Sequence, residues 1–255
     1  VDEALAVGDI NFQAKCYRKF YQLQKAGKTI IFVTHALDTF VKYCNKGILL
    51  DHGRKIIEEN PKNTVDIYKK ILVDCYYKEE KKSKEENTHK KEIKDVWKQK
   101  FVTNKSSTIY GNNDAEIIDF GILDERGLPA QKLVNGDIFH IKMVVKFNKR
   151  IEEPIFAYTI KDLKGFEITG TNTFLEGIKT EIFNKNDVAY IDFAQTLNIK
   201  PGGYALSLGC TNYEEDKFVV YNRLYDILLF EVISEKQFVG MYDLKSKVSI
   251  DFTKK

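Results

Sequence analysis

Phe139-His-Ile-Lys-Met-Val-Val-Lys-Phe147 alternates along most of its length: Phe139, Ile141, Met143, Val145 and Phe147 share one face, His140, Lys142 and Lys146 the other. A period of two puts one face on a core and the other in water, which predicts a half-buried strand. Ala189, Ile191, Phe193 and Leu197 repeat the pattern against Tyr190, Asp192 and Thr196. Further strand-like runs are 117–123, 155–160, 166–173, 204–210, 226–233 and 248–252. Between them lie turn clusters such as Asp124-Glu-Arg-Gly127, Asp162-Leu-Lys-Gly165 and Lys200-Pro-Gly-Gly203. About eight strands with no helical period predict an all-β, immunoglobulin-like antiparallel sandwich over 111–255.

Working back from there, residues 78–100 hold fifteen charged side chains in twenty-three, nine lysines and six acids. So little apolar surface cannot offset chain entropy, so a charged linker is expected over 76–110. A polybasic membrane tether is the rival reading, and the interleaved glutamates oppose it. This segment alone carries the net charge of +3 and leaves a balanced remainder, so no basic face for nucleic acid is expected. Residues 1–75 alternate differently. Lys15–Lys25 has helical spacing, Thr29–Thr34 is a β-branched run suited to a strand buried on both faces, and Ile48-Leu-Leu50 is another short strand. Asp38–Tyr43 and Thr64–Leu72 return to a helical period, which predicts an α/β fragment with parallel strands. The longest apolar runs are about four residues, far short of the roughly 18 a membrane helix needs. Cys16, Cys44, Cys75 and Cys210 are scattered without metal-ligand spacing and read as reduced thiols.

Chemistry concentrates at the start, in Val1-Asp-Glu-Ala-Leu-Ala-Val-Gly-Asp9, followed by Phe32-Val-Thr-His35. Two carboxylates at a strand end suit nucleotide hydrolysis, one holding the magnesium shell and one polarising water. The strand end before His35 is where open α/β sheets bind ligands. Each piece alone also fits a solvated acid pair or a structural histidine. In order and spacing, the stretch resembles the second half of an ABC-transporter ATPase domain. Asp2-Glu3 stands at the Walker B acids, Gly8-Asp9 at the D-loop and His35 at the switch histidine. Ala4-Leu-Ala-Val-Gly8, Phe12-Gln13, Lys15-Cys16, Cys44 and Leu50-Asp-His-Gly53 resemble the ATP-binding subunits of exporters of O-antigen or teichoic acid. The resemblance implies catalytic roles for Glu3, as general base, and His35, at the γ-phosphate. It implies magnesium held through water by Asp2, and nucleotide contacts from Gly8 and Asp9. The sequence departs from the pattern in lacking a G-x-x-x-x-G-K-[ST] loop and a Leu-Ser-Gly-Gly-Gln motif; Gly165-Phe-Glu-Ile-Thr-Gly170 has the glycine spacing without the lysine. A truncated subunit is therefore expected. ATP and magnesium belong to the intact subunit, and no cofactor is expected for this chain alone.

Asp162-Leu-Lys-Gly165, Gly170-Thr-Asn-Thr173, Pro201-Gly-Gly-Tyr204 and Tyr221-Asn-Arg223 resemble the carbohydrate-binding sandwich of such exporters. The resemblance implies a transmembrane permease partner, a surface polysaccharide ligand and a place at the inner face of the cytoplasmic membrane. Sugar binding needs aromatic faces and amides, acids or arginine, for which Tyr158, Asn172, Tyr190, Asp192 and Arg223 are chemically suited. Strand tyrosines are also ordinary packing residues, and Asn172 fits a turn. A homodimer is expected through an open strand edge, with 248–252 as the exchanged strand. The rival reading is a lectin-like or dimerisation module with a non-functional ATPase remnant. Without a phosphate loop, the purified 255-residue chain should release no phosphate from magnesium-ATP; turnover abolished by Glu3→Gln would overturn that expectation.

Overall fold

The computed structural model describes residues 10–72, 97–215 and 217–253. Asp2, Glu3, Gly8 and Asp9 lie outside the described residues, as do Cys75 and the charged run up to residue 96. The chain divides into two compact units, 1–65 and 66–255.

In the first unit, α1 (Ile10–Lys25) ends where Gly27 takes φ +70. Its Tyr17 stacks on Tyr43 of α2 (Leu37–Tyr43) at 4.8 Å, and buried Phe20 meets Phe32 and Tyr43 edge-on. β1 (Gly47–Asp51) and β2 (Arg54–Glu59) form a hairpin whose turn residues His52 and Gly53 both have positive φ, the twist such tight turns need. Asn60 Oδ1 then accepts from the Asn63 amide and caps α3 (Pro61–Leu72), whose last residues belong to the second unit. The expected parallel arrangement is corrected: β1 and β2 are antiparallel, since a two-residue turn leaves no room for the crossover parallel strands need. Thr29–Thr34 is likewise not a strand. Only Val33 makes a bridge, and Ile31 is 77% exposed.

Among the described residues the second unit is a sandwich of nine strands. The larger sheet runs β3 (Thr108–Tyr110), β11 (Lys217–Ile233), β10 (Gly202–Glu214), β7 (Ile155–Asp162), β8 (Glu167–Asn172). β5 (Lys132–Val134) also pairs with β11, and in parallel, so the sandwich is not wholly antiparallel. The smaller sheet is β4 (Ala115–Asp124), β6 (Ile138–Phe147), β9 (Val188–Thr196). Phe139, Ile141, Met143, Val145 and Phe147 are all at most 2% exposed and meet Leu206, Leu208 and Leu228 of the other sheet in one core. Asn222 crosses between the sheets, its Oδ1 accepting from the Ile117 amide of β4.

The fold begins earlier than residue 111. Trp97–Phe101, with a 3-10 turn at Lys98–Lys100, lies over β4, and Phe101 joins the core. Asp119 holds this strap, accepting from the amides of Trp97, Lys98 and Phe120. Gly121 lets it approach, since a Cβ there would come within 2.9 Å of Trp97 and Phe101. The tail 248–252 forms no strand, and Val248, Ile250 and Phe252 are each at least 75% exposed. Asp119→Ala would strand the strap amides at a cost of about 1–3 kcal/mol. The expected result is a lower Tm with a red-shifted Trp97 fluorescence and faster proteolysis between 97 and 107, measured against wild type.

Candidate functional site

Strand parity sorts the five sugar-site residues before any chemistry does. On β7, Phe156, Tyr158 and Ile160 point inward. Tyr158 is 7% exposed, packs edge-on against Phe193 at 5.1 Å, and burial pushes its hydroxyl pKa up. It is a core residue with no ring face to offer, and leaves the candidate set.

Tyr190 and Asp192 occupy the outer face of the smaller sheet. In register Tyr190 lies opposite Val144, Asp192 opposite Lys142, and Ala194 opposite His140. Asp192 accepts from Lys142 Nζ at 2.5 Å and sits 3.0 Å from His140 Nδ1, a cross-strand trio fixing the carboxylate. Two residues along, Tyr190 is 73% exposed, a flat apolar surface beside a fixed acceptor. His140 and Lys142 belong to this group although the sequence pattern marks them only as the solvent face of a strand. Their signal was the paired register, which no single strand displays.

Asn172 and Arg223 lie on the opposite side of the molecule. The register Asn172–Ala157–Gly209–Arg223 forms one row across β8, β7, β10 and β11, on the outer face of the larger sheet. Asn172 Oδ1 accepts from the Leu175 amide and organises the turn after β8. Arg223 lies across Gly209, and its guanidinium is 5.4 Å from the Tyr225 ring centroid. The candidates therefore form two sites rather than one. A separate cleft of about 350 Å³ opens beside Arg126, Lys132, Leu133, Asp137 and Phe139, and none of the five lines it.

The remaining site residues give less. His35 is exposed, in the bend before α2. Among the described residues no group of three or more His, Cys, Asp or Glu side chains could hold a metal, and no helix is long and apolar enough to cross a membrane. Cys16, Cys44 and Cys210 are free thiols, and burial pushes Cys210 well above its ordinary pKa, as for an inert core residue.

A strap-covered two-sheet sandwich preceded by a smaller helical and hairpin unit is the architecture these elements define. Residues 106–244, more than half of the chain, match the Wzt C-terminal domain family. The chain belongs to that family. A crystal structure of the C-terminal domain of Wzt superposes with a TM-score of 0.58 at 26% identity, covering 64% of this chain and all of that one. The ABC transporter protein AbcA of Aeromonas salmonicida is 46% identical over 72 residues, 28% of this chain and 23% of that protein. An O-antigen export system ATP-binding protein RfbB of Klebsiella pneumoniae is 33% identical over 72 residues, 28% and 29% of the two chains. The teichoic acids export ATP-binding protein TagH of Bacillus anthracis is 38% identical over 72 residues, 28% and 13%. The matches thus span under a third of these relatives' length.

Burial alone would raise the Asp192 pKa, but the hydrogen bonds and charges of Lys142 and His140 outweigh it and hold the carboxyl below its usual range. A lowered folded pKa means the trio's contribution is complete above the unfolded value, about 3.9. It disappears as pH falls through the lower folded value. Wild type should accordingly melt above Asp192→Asn at pH 6, and the gap should close as pH falls below about 4. A gap that widens on acidification would contradict this sign.

Proposed function

We propose that this chain is the C-terminal portion of the ATP-binding subunit of a bacterial polysaccharide exporter, and that its sandwich recognises the polysaccharide to be exported. The observation that carries this reading is the match of residues 106–244 to the Wzt C-terminal domain, joined in one chain to similarity with ATP-binding proteins named for O-antigen and teichoic acid export. A lectin-like module beside a dead ATPase remnant explains the sandwich but gives no reason for the exporter similarity.

Under this proposal the first unit is the second half of an ABC ATPase domain. In the intact subunit Asp2 would hold magnesium through water, Glu3 would be the general base, and Gly8, Asp9 and His35 would contact the nucleotide. Magnesium-ATP there supplies the free energy that drives export through a transmembrane permease at the inner face of the membrane. On the sandwich, Tyr190 is the sugar-stacking surface and Asp192, held by His140 and Lys142, the hydroxyl acceptor. The exposed alternation of Val248, Ile250 and Phe252 supports a homodimer in which this tail adds to a partner's sheet edge.

Calorimetry of the chain with cell-surface polysaccharide from its source should give saturable binding, weakened at least about tenfold by Tyr190→Ala with no loss of Tm. The same preparation should sediment as a dimer, and as a monomer after deletion of 246–255. Absence of any glycan binding overturns the recognition role; unchanged affinity in Tyr190→Ala overturns the assigned face.

A further inference from the structure

The outer face of the larger sheet holds an unusual concentration of charge around one ring. Lys161 Nζ, Lys69 Nζ and the Arg223 guanidinium lie 4.3, 5.9 and 5.4 Å from the Tyr225 centroid. Lys161, with 3% of its side chain exposed, is shared by Asp66 and Asp226 at 3.6 Å each. Lys69 donates to Glu167 at 2.6 Å. Burial would raise Glu167, yet the hydrogen bond and charge of Lys69, aided by Lys161 and Arg223, hold it below its ordinary pKa. Both lysines and all three acids are thus matched to one another.

Arg223 is not. Among the described residues no carboxylate lies within salt-bridge distance of it, and its Nε is buried without a hydrogen-bond partner. A buried guanidinium N–H without an acceptor bears the full penalty of its lost hydration, and native proteins rarely leave one so. The group is also held in place. A Cβ on Gly209 would come within 3.1 Å of Arg223 Cδ and Nη1, so the glycine provides the bed on which the side chain lies, with the Tyr225 ring beside it. Next along the row are Gly209 and Ala157, which keep the floor low as far as Asn172.

From these observations we propose that Arg223 is the receptor for an oxyanion, the carboxylate of an acidic sugar or a phosphate group. The chemistry is that of a fixed fork of N–H donors, which matches two oxygens of one anion and cannot be satisfied as well by single sugar hydroxyls. The inference rests on the reading of the sandwich as a glycan-binding domain and narrows its ligand to a saccharide carrying an acidic group, met on the face opposite Tyr190.

The test titrates the full 255-residue chain with inorganic phosphate, glucuronate and neutral glucose while following the arginine Nε signals by NMR. One Nε resonance should move saturably with an oxyanion and stay still with glucose, and Arg223→Gln should remove that resonance and its titration. Arg223→Lys keeps the charge but not the fork and should weaken binding about tenfold or more. A response to phosphate alone identifies a phosphorylated ligand, and a response to both admits a uronate. No saturable shift, or equal binding by a folded Arg223→Gln, overturns the inference. The two readings separate cleanly. Polysaccharide bound equally by wild type and Arg223→Gln sinks the oxyanion receptor and leaves glycan recognition standing, whereas oxyanion binding without polysaccharide binding does the reverse.

Discussion

One edge of β11 has to serve two strands that run in opposite directions, and the sandwich is organised around that conflict. β3 pairs antiparallel with residues 223–225, while β5 pairs parallel with 231–233. Between the two partners β11 is irregular: its register with β10 shifts between Leu224 and Leu228, and Asp226 lies there in the left-handed region at φ 52. Such a conformation in a non-glycine residue persists only where the surroundings fix it. Ser207 and Asp226 fix it mutually: the Asp226 amide donates to Ser207 Oγ, and that hydroxyl faces Asp226 Oδ1. The carbonyls of Asp226 and Ile227, turned out of the ladder, accept from Asn104. The strap that starts at Trp97 is thereby hooked to the same point that bends β11.

Fixing the bend brings a carboxylate 2% exposed into the protein, and Lys161 is the answer to it. A buried cation between two acids is weak evidence for net stability, because desolvation consumes most of the Coulombic gain. Losing one member of such a set is another matter, at about 3–5 kcal/mol.

The legible part of this fold was the part governed by period alone. Strands β6 and β9 bury the faces their alternation indicates, and the strand-like runs 117–123, 155–160 and 204–210 fall within β4, β7 and β10, the last buried on both faces. For β11 the sequence pattern indicates a strand only from residue 226, because Tyr221-Asn-Arg-Leu-Tyr-Asp226 breaks the apolar run. Yet Asn222 is polar in order to cross to β4, and Asp226 in order to turn the chain. β3 and β5, of three residues each, are too short for a period to show. Residues 248–252 carry the period of a strand without pairing, since alternation states a tendency to pair and supplies no partner.

For site residues the limit is sharper, since side-chain type says nothing of which face it lies on. Tyr158 and Tyr190 are the same residue type in strands of similar length, yet one is 7% and the other 73% exposed. Parity separates them, because Tyr158 stands in phase with Phe156 and Ile160, and Tyr190 out of phase with Ala189 and Ile191. Parity within a strand is readable from sequence. Which strands lie side by side is not, and only that pairing brings His140 and Lys142 to Asp192, or lays Arg223 across Gly209. Since the two sheets are back to back, their outer faces are chemically independent. One presents an open aromatic beside a satisfied carboxylate, the other a held guanidinium that still lacks its acceptor. A ligand recognised by both would have to wrap the edge of the sandwich or be contacted by two copies of the chain, so the number of chains in the assembly bears directly on how much of a glycan can be read at once.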